Sequence, residues 1–240
     1  MPNPTAAMLV IGDEILSGRT RDANMHHLAQ ELTKHGVDLK EVRIVSDDRA
    51  AIVRTVQELS KTFEVVFTSG GIGPTHDDIT ADCIAEAFGR SIDVRDDARD
   101  LLVRHWQGRG VELTEARMRM ARIPDGAELI DNPVSIAPGF TVGNVHVMAG
   151  VPAVFQAMVA SVLPKVTGGT PLQSQTLRIE RGEGEIAGPL GALAQEFDDL
   201  SIGSYPYSRN GVFGANVVIR GTDAGRINAA MTKLAGIFPE

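Results

Sequence analysis

The chain has 240 residues, 43% hydrophobic and 22% charged, with a net charge of −8 and a single cysteine. This is the composition of a globular protein long enough for one large domain, or for one domain plus a small one, and it excludes a disulfide framework or a cysteine-rich zinc site. One Trp, two Tyr and no basic stripe argue against nucleic acid as a partner, no apolar run reaches the roughly 18 residues that a membrane span needs, and the lone Cys83 points to a reducing, cytoplasmic compartment.

Residues 1–12 (MPNPTAAMLVIG) have no basic region ahead of their short apolar run, so residues 7–11 read as a first strand ending at Gly12, not as a secretory signal. Met25, Leu28, Ala29 and Leu32 have helical spacing, and Gly36 is the expected stop. Residues 37–45 alternate as a strand. Ile52, Val53, Val56 and Leu59 mark a second helix, and Val65, Val66 and Phe67 a short buried strand before a glycine cluster. A helix over about residues 79–88 follows, with Cys83 as a packing residue on it. Residues 96–121 read as a charged helical insertion covering one side of the sheet. Residues 145–148 form another short strand ahead of Gly150, and Val154, Phe155, Met158, Val159 and Val162 a further helix. Alternating strands and helices with continuously apolar strands predict a mostly parallel sheet covered on both faces, with ligands beyond the carboxyl ends of the strands.

The segment 166–176 (VTGGTPLQSQT) reads as a linker, so domains are expected over 1–167 and 168–240. Beyond it the pattern is a strand near 177–179, a helix with Ile186, Leu190, Leu193, Ala194 and Phe197, strands near 201–205 and 215–219, and a last helix with Ile227, Ala230, Met231, Leu234 and Ile237. That is a small α+β subdomain.

Three strand ends carry unusual chemistry. The first is residues 69–80 (SGGIGPTHDDIT), where Gly70, Gly71 and Gly73 permit positive φ and close approach of a ligand to the backbone, and Pro74 stiffens the turn. A helix start beyond it, capped by Asp78 or Thr80, would present N–H groups to an anion; a plain strand–turn–helix connection is the structural alternative. The segment is neither a dinucleotide fingerprint nor a P-loop. Asp77 and Asp78 would repel a phosphate unless a hard cation stands between them. The second end is Gly12, Asp13 and Glu14, with Asn24 near the start of the next helix. The third is residues 149–152, with Gly150 and Pro152. Asp47 and Asp48 follow the second strand, and one of them is expected to cap the helix beyond. Of six histidines only His76 lies in a candidate loop, no metal-ligand histidine spacing is present, and no Gly-x-Ser-x-Gly elbow supports a serine hydrolase.

As a set these loops resemble the MoaB/Mog molybdopterin-binding superfamily, and within it the amino-terminal domain of CinA-type proteins and their stand-alone relatives. The matching text is GDEILSG at 12–18, DAN at 22–24, SGGIGPTHDDIT at 69–80, Asn132-Pro133, APGF at 137–140 and Gly150-Val151-Pro152. It covers roughly the first 165 residues, and the tail resembles the small subdomain of the same proteins. The resemblance implies a three-layer α/β/α core, a homo-oligomer and a small phosphate-bearing ligand, nucleotide or pterin. One reading is a nucleotide pyrophosphatase, a hydrolase acting on ADP-ribose-like or FAD-like substrates with Mg²⁺ or Co²⁺ and K⁺; the other is a molybdopterin-binding protein. By position in the motif, Asp78 and Asp47 are the catalytic candidates, and Asp77, Asp78 and Asp13 the metal candidates. Gly12, Asp13, Glu14, Asn24, Ser69, Gly70, Gly71, Gly73, Pro74, Thr75, Gly150 and Pro152 are the candidates for substrate or phosphate. The chain departs from the family text at Ser135 and Ile136, where Gly-Thr is usual, and at Ala149, where Pro is usual; all three fall at the expected ligand rim.

Overall fold

The computed structural model describes residues 2–107, 113–209 and 211–239, which divide into two compact units, Met1–Gly169 and Thr170–Glu240. In the first unit β1 (Thr5–Ile11) is followed by a short helical turn α1 (Asp13–Leu16), α2 (Asn24–His35), β2 (Asp38–Val45), α3 (Arg49–Thr62), β3 (Val65–Ser69) and α4 (Thr80–Ala87). Then come β4 (Ile92–Val94), α5 (Asp96–Gln107), α6 (Glu115–Met118), a 3-10 turn at Arg119–Ala121, β5 (Arg122–Pro124), β6 (Glu128–Ile130), β7 (Gly139–Val142), β8 (Val145–Met148) and α7 (Pro152–Val162). Residues 108–112, inside the helical insertion read from the sequence, lie outside the described residues.

The main sheet has the order β2-β1-β3-β8-β7-β6. The first four strands are parallel, and β7 and β6 continue the sheet antiparallel. The side-chain alternation of β1 explains the layers. Ala7, Leu9 and Ile11 join Ile52, Val56 and Leu59 of α3, Cys83 and Ile84 of α4, and Ala98 and Leu102 of α5 in one core. Ala6, Met8 and Val10 point the other way, into Leu28 and Leu32 of α2 and Phe155, Met158 and Val162 of α7. Because successive strand residues face opposite sides, a strand apolar at every position needs helices on both faces, and the result is a three-layer α/β/α unit. Each fully buried Leu or Phe here stabilises the fold by roughly 1.5–3 kcal/mol. Cys83 is one of these packing residues, and burial pushes its thiol up to about 11.

Capping sharpens the helix readings. Gly36 takes φ 73° and ends α2. Asp48 is the cap of α3, its side chain accepting from the Ala51 N–H at 2.8 Å. Neither Asp78 nor Thr80 caps α4; Ile79 is the N-cap residue, with no side-chain cap bond, and Thr80 is the first helical residue.

His146 on β8 is the one histidine drawn into the interior of this unit with a resolved titration shift. Its Nδ1 meets the Thr141 hydroxyl at 2.9 Å and its ring lies 5.3 Å from that of Phe67. Burial, with Lys165 nearby, pulls its pKa from 6.5 down to about 4. The folded form therefore holds a neutral ring while the unfolded chain takes a proton below pH 6.5, so stability falls progressively from pH 6.5 toward 4. The accumulated loss is about 3 kcal/mol at the lower end. Urea midpoints across that window are expected to fall less steeply in His146→Gln than in the parent.

In the second unit β9 (Gln173–Ile179), α8 (Glu183–Glu196), β10 (Ser201–Arg209), β11 (Val212–Gly221) and α9 (Ala224–Ile237) follow in sequence. The sheet is antiparallel with β11 central. Ala215, Val217 and Ile219 of β11 pack against Ile186 and Leu193 of α8 and Ile227, Ala230 and Leu234 of α9. This is a small α+β unit with its own core. Residues 173–176, read from the sequence as linker, are strand, because their polar side chains belong to an exposed strand whose backbone is paired to β11.

Candidate functional site

Beyond the carboxyl ends of β1, β3 and β8 lies a cleft of about 680 Å³, within the range of small-molecule and cofactor sites. It is the kind of crevice that a parallel sheet leaves at its strand ends. Of the residues singled out in the sequence, Gly12, Glu14, Asp47, Gly70, Gly71, Gly73, Pro74, Asp77, Asp78, Gly150 and Pro152 line it.

The glycine loop is held by contacts that only glycine permits. Gly70 has φ 109°, its N–H donates to the Met148 carbonyl at 3.1 Å, and a Cβ there would lie 2.2 Å from the Ile11 carbonyl oxygen. Gly71 has φ 69°, its carbonyl accepts the Thr80 N–H at 3.0 Å, and its Cβ would lie 2.1 Å from the Thr80 hydroxyl. Among the described residues the N–H groups of Gly71, Ile72 and Gly73 have no acceptor. They are donors ready for an oxyanion.

Asp78 braces the far side of this loop. Its Oδ2 accepts from the Thr75 N–H at 2.8 Å and from the Thr75 hydroxyl, and its carbonyl accepts from Arg119 Nη2 at 3.3 Å. Thr75 thus reaches the site through Asp78. The Gly73 Cβ position is 2.6 Å from Asp78 Oδ2, so the carboxylate lies directly over that glycine.

The first strand end is organised by two carboxylates. Glu14 folds back over Gly12, where a Cβ would come within 2.6 Å of its oxygen. Asp47 Oδ2 accepts the Asp13 N–H at 3.0 Å. Burial, and then the charges of Asp13, Glu14 and Asp77, push Asp47 above the usual carboxylate range, against the opposing effect of the Asp13 N–H. Asp13 itself contributes this N–H, and its side chain is not part of the cleft wall.

Asn24 and Ser69 sit one layer behind, around a small adjoining pocket of about 60 Å³. Asn24 is 4% exposed. Its Nδ2 donates to Ser69 Oγ at 2.7 Å and to the Gly150 carbonyl at 2.8 Å, tying the β3 and β8 ends together. Its Oδ1 is buried without a partner among the described residues. Gly150 lets the two loops meet, its Cβ position being 3.3 Å from Gly70 Cα. Pro152 occupies the first position of α7, where its missing N–H costs nothing.

Thr20, Met120 and Val154 were not legible as lining residues, whereas Ile72 and Val151 lie inside two of the loops singled out without being named as candidates. Asn132, Ser135 and Ala137, which lie in the matching text or among its departures, also line the cleft. His76 is 98% exposed on its side chain and stands outside.

The charge balance of the lining is one-sided. Glu14, Asp47, Asp77 and Asp78 line the cleft, and among the described residues no Lys, Arg or His does. Nor do three carboxylate, histidine or cysteine side chains among those residues converge into a ready-made metal cage. A hard cation fits this donor set when substrate oxygens complete its coordination, since such ions take carboxylate and phosphate oxygens together.

Residues 7–168 match the family model described as a probable molybdopterin binding domain, and residues 171–240 match that of the FAD synthase middle domain. A protein of Archaeoglobus fulgidus is 33% identical over 199 residues, covering 83% of this chain and 84% of its own. A probable FAD synthase of Caenorhabditis elegans is 33% identical over 255 residues, covering 96% of this chain and 49% of its own, so the chain spans about half of that relative's length. Among solved structures, the CinA protein of Thermoplasma acidophilum, of unknown function, superposes with a TM-score of 0.63 at 31% identity, over 69% of this chain and 99% of that one. Among the described residues no helix is long and apolar enough to cross a membrane.

Proposed function

The chain belongs to the MoaB/Mog-like family of probable molybdopterin-binding domains, and from that premise we propose that its cleft binds a nucleotide pyrophosphate, ADP-ribose-like or FAD-like, together with a divalent cation and hydrolyses the phosphoanhydride. The observation that carries this reading is the pairing of free glycine-loop N–H groups with four carboxylates and no basic side chain in the lining. The N–H groups suit phosphate oxygens, but four negative charges would expel a bare diphosphate. The ligand that suits both is a phosphate–cation complex. Similarity over 96% of the chain to a probable FAD synthase supports a nucleotide as its organic part.

A divalent cation such as Mg²⁺ or Co²⁺, when bound, would neutralise the diphosphate; Asp77 and Asp78 are the residues that would hold it, while the Asp13 side chain lies outside the cleft lining. The N–H groups of residues 71–73 hold one phosphate and stabilise the charge that grows on its oxygens. Asp47, partly desolvated and oriented by the Asp13 N–H, accepts the proton of the attacking water. The water oxygen bonds to phosphorus as the bridging P–O bond breaks, and the bridging oxygen leaves with the second phosphate.

Incubation of the full chain with ADP-ribose or FAD, Mg²⁺ or Co²⁺ and K⁺ tests this by chromatography of released AMP. No AMP from either substrate with any of these ions rejects hydrolysis. The family model itself favours a second reading, molybdopterin binding by the same loop, which predicts saturable binding in an anaerobic pterin titration.

A further inference from the structure

The turn at residues 132–137 is built more rigidly than a cleft rim requires. Asn132, 2% exposed, uses its whole side-chain amide inside the turn. Its Oδ1 accepts from the Val134 and Ser135 N–H groups at 3.1 and 3.2 Å, and its Nδ2 donates to Ser135 Oγ at 2.6 Å and to the Ala137 carbonyl at 2.8 Å. The two backbone donors fix which end of the amide is oxygen. The next residue, Ile136, has φ 68°, the only positive φ of a non-glycine among the described residues. A β-branched side chain disfavours that conformation, and strain of this kind persists where the surroundings over-determine a functional geometry.

What this rigidity positions is the Ser135 hydroxyl. It lies in the cleft lining, on an exposed residue, with Oγ pinned by Asn132. One lone pair is occupied and the proton is free to donate. The alternatives are few. The lining carboxylates only accept when ionised, no basic side chain lines the cleft, and Asn132 has no capacity left. Among the described lining side chains Thr20 and Ser135 alone remain as neutral donors, and none of the described residues holds the Thr20 hydroxyl in place as Asn132 holds that of Ser135. The apolar lining of Ile72, Met120, Ala137, Val151 and Val154 suits a flat ring.

We propose that Ser135 is a specificity-determining residue that donates a hydrogen bond to an acceptor on the heterocycle of the ligand, a carbonyl oxygen or an unprotonated ring nitrogen, while the glycine loop takes the phosphate. This rests on the reading of the cleft as a phosphate–cation site. A pre-positioned donor reads such an acceptor well because its ordering cost is met before binding.

The test compares two classes of probe on the full chain with Mg²⁺ by calorimetry: FAD and ADP-ribose, which carry rings, and inorganic pyrophosphate, which does not. Ser135→Ala is expected to weaken at least one ring-bearing probe by roughly tenfold and leave pyrophosphate affinity unchanged. Ser135→Thr, which keeps the hydroxyl, is expected to restore most of the lost affinity. Ile136→Gly reports separately on the turn, and a higher melting temperature than the parent's confirms that strain is stored there. If Ser135→Ala binds every probe as the parent does, weakens pyrophosphate in parallel, or is matched by Thr20→Ala as the variant that selects against rings, the proposal is wrong. If the parent binds pyrophosphate but neither dinucleotide, the ring-reading role falls and the phosphate site stands. If the parent binds none of the three, both fall together.

Discussion

Gly70→Ala is expected to lower the unfolding free energy of the first unit by on the order of 3–5 kcal/mol. Two effects combine. The backbone has φ 109°, a conformation L side chains rarely adopt, and the new Cβ would sit 2.2 Å from the Ile11 carbonyl oxygen. That oxygen belongs to the end of a central strand paired on both sides, so it cannot swing away as a side chain could. The same substitution at two other glycines separates the effects. Gly18 has φ 72° with open space around its Cβ position, so Gly18→Ala carries only the conformational cost of about 1–2 kcal/mol. At Gly73 the obstacle is the Asp78 carboxylate, 2.6 Å away. That group can move, so Gly73→Ala is expected to cost less stability than Gly70→Ala while displacing Asp78 and impairing function more than folding. Urea titrations followed by the fluorescence of Trp106, the single tryptophan, which is partly buried against the first unit's core, measure all three. Equal midpoints for Gly70→Ala and Gly18→Ala would show that the close approach to Ile11 carries no energy.

Why these glycines were legible while much of the rim was not follows from what each signal consists of. Gly70, Gly71 and Gly73 cluster after an apolar β-branched strand, and the local text alone announces an irregular backbone. The two faces of β1 were legible because its run is apolar without alternation, which only a strand covered on both sides explains. By contrast β4 to β7 are three or four residues each, too short to show a period of two, and β5 ends in a proline. The antiparallel edge formed by β7 and β6 therefore escaped a reading that found only the parallel strands. Met120 reaches the cleft from the 3-10 turn after α6, and nothing in its neighbours signals that the chain returns there. Asp78 was legible as a residue of the cleft loop, but the cap that the sequence offered for it, or for Thr80, is not formed. An aspartate two residues before a helix suggests a cap, whereas its carboxylate turns backward to Thr75 because the N–H and hydroxyl of that residue offer two donors within one tight turn. Asp47 and Asp48 looked interchangeable in sequence. The fold separates them, one capping α3 and the other turned to the Asp13 N–H across the strand ends, and that division depends on the register of β1 against β2.

Asp78→Asn and Asp47→Asn are both expected to reduce AMP release by on the order of 10²–10⁴-fold, for different reasons that pH and stability distinguish. An Asn at 78 keeps an oxygen for the Thr75 donors, so the loop should hold its shape; what is lost is the negative charge that would face the cation. The residual activity of Asp78→Asn should therefore need far more Mg²⁺ while keeping the parent's pH profile. In the proposed mechanism Asp47 acts on the water, and its carboxyl is held above the usual carboxylate range first by burial and then by the surrounding acids. The acid limb of the parent's rate profile should accordingly lie higher than an ordinary aspartate would set it, and should vanish in Asp47→Asn. The same shift has a consequence for folding. A carboxyl whose folded pKa is raised favours the native state while it is protonated, and that contribution disappears as pH rises through the folded value. At neutral pH the parent thus carries an ionised Asp47 that its own neighbours oppose. Asp47→Asn removes the opposition, since the amide oxygen can still accept the Asp13 N–H. It should melt at a higher temperature than the parent at pH 7, and the difference should shrink as the pH is lowered toward the range where the parent's Asp47 is neutral. A variant that is both inactive and more stable is the pattern expected of a residue kept for chemistry at the expense of the fold. An Asp47→Asn protein less stable than the parent at pH 7 would mean instead that the carboxylate's bond to the Asp13 N–H outweighs the repulsion, and that Asp47 is retained as a structural brace.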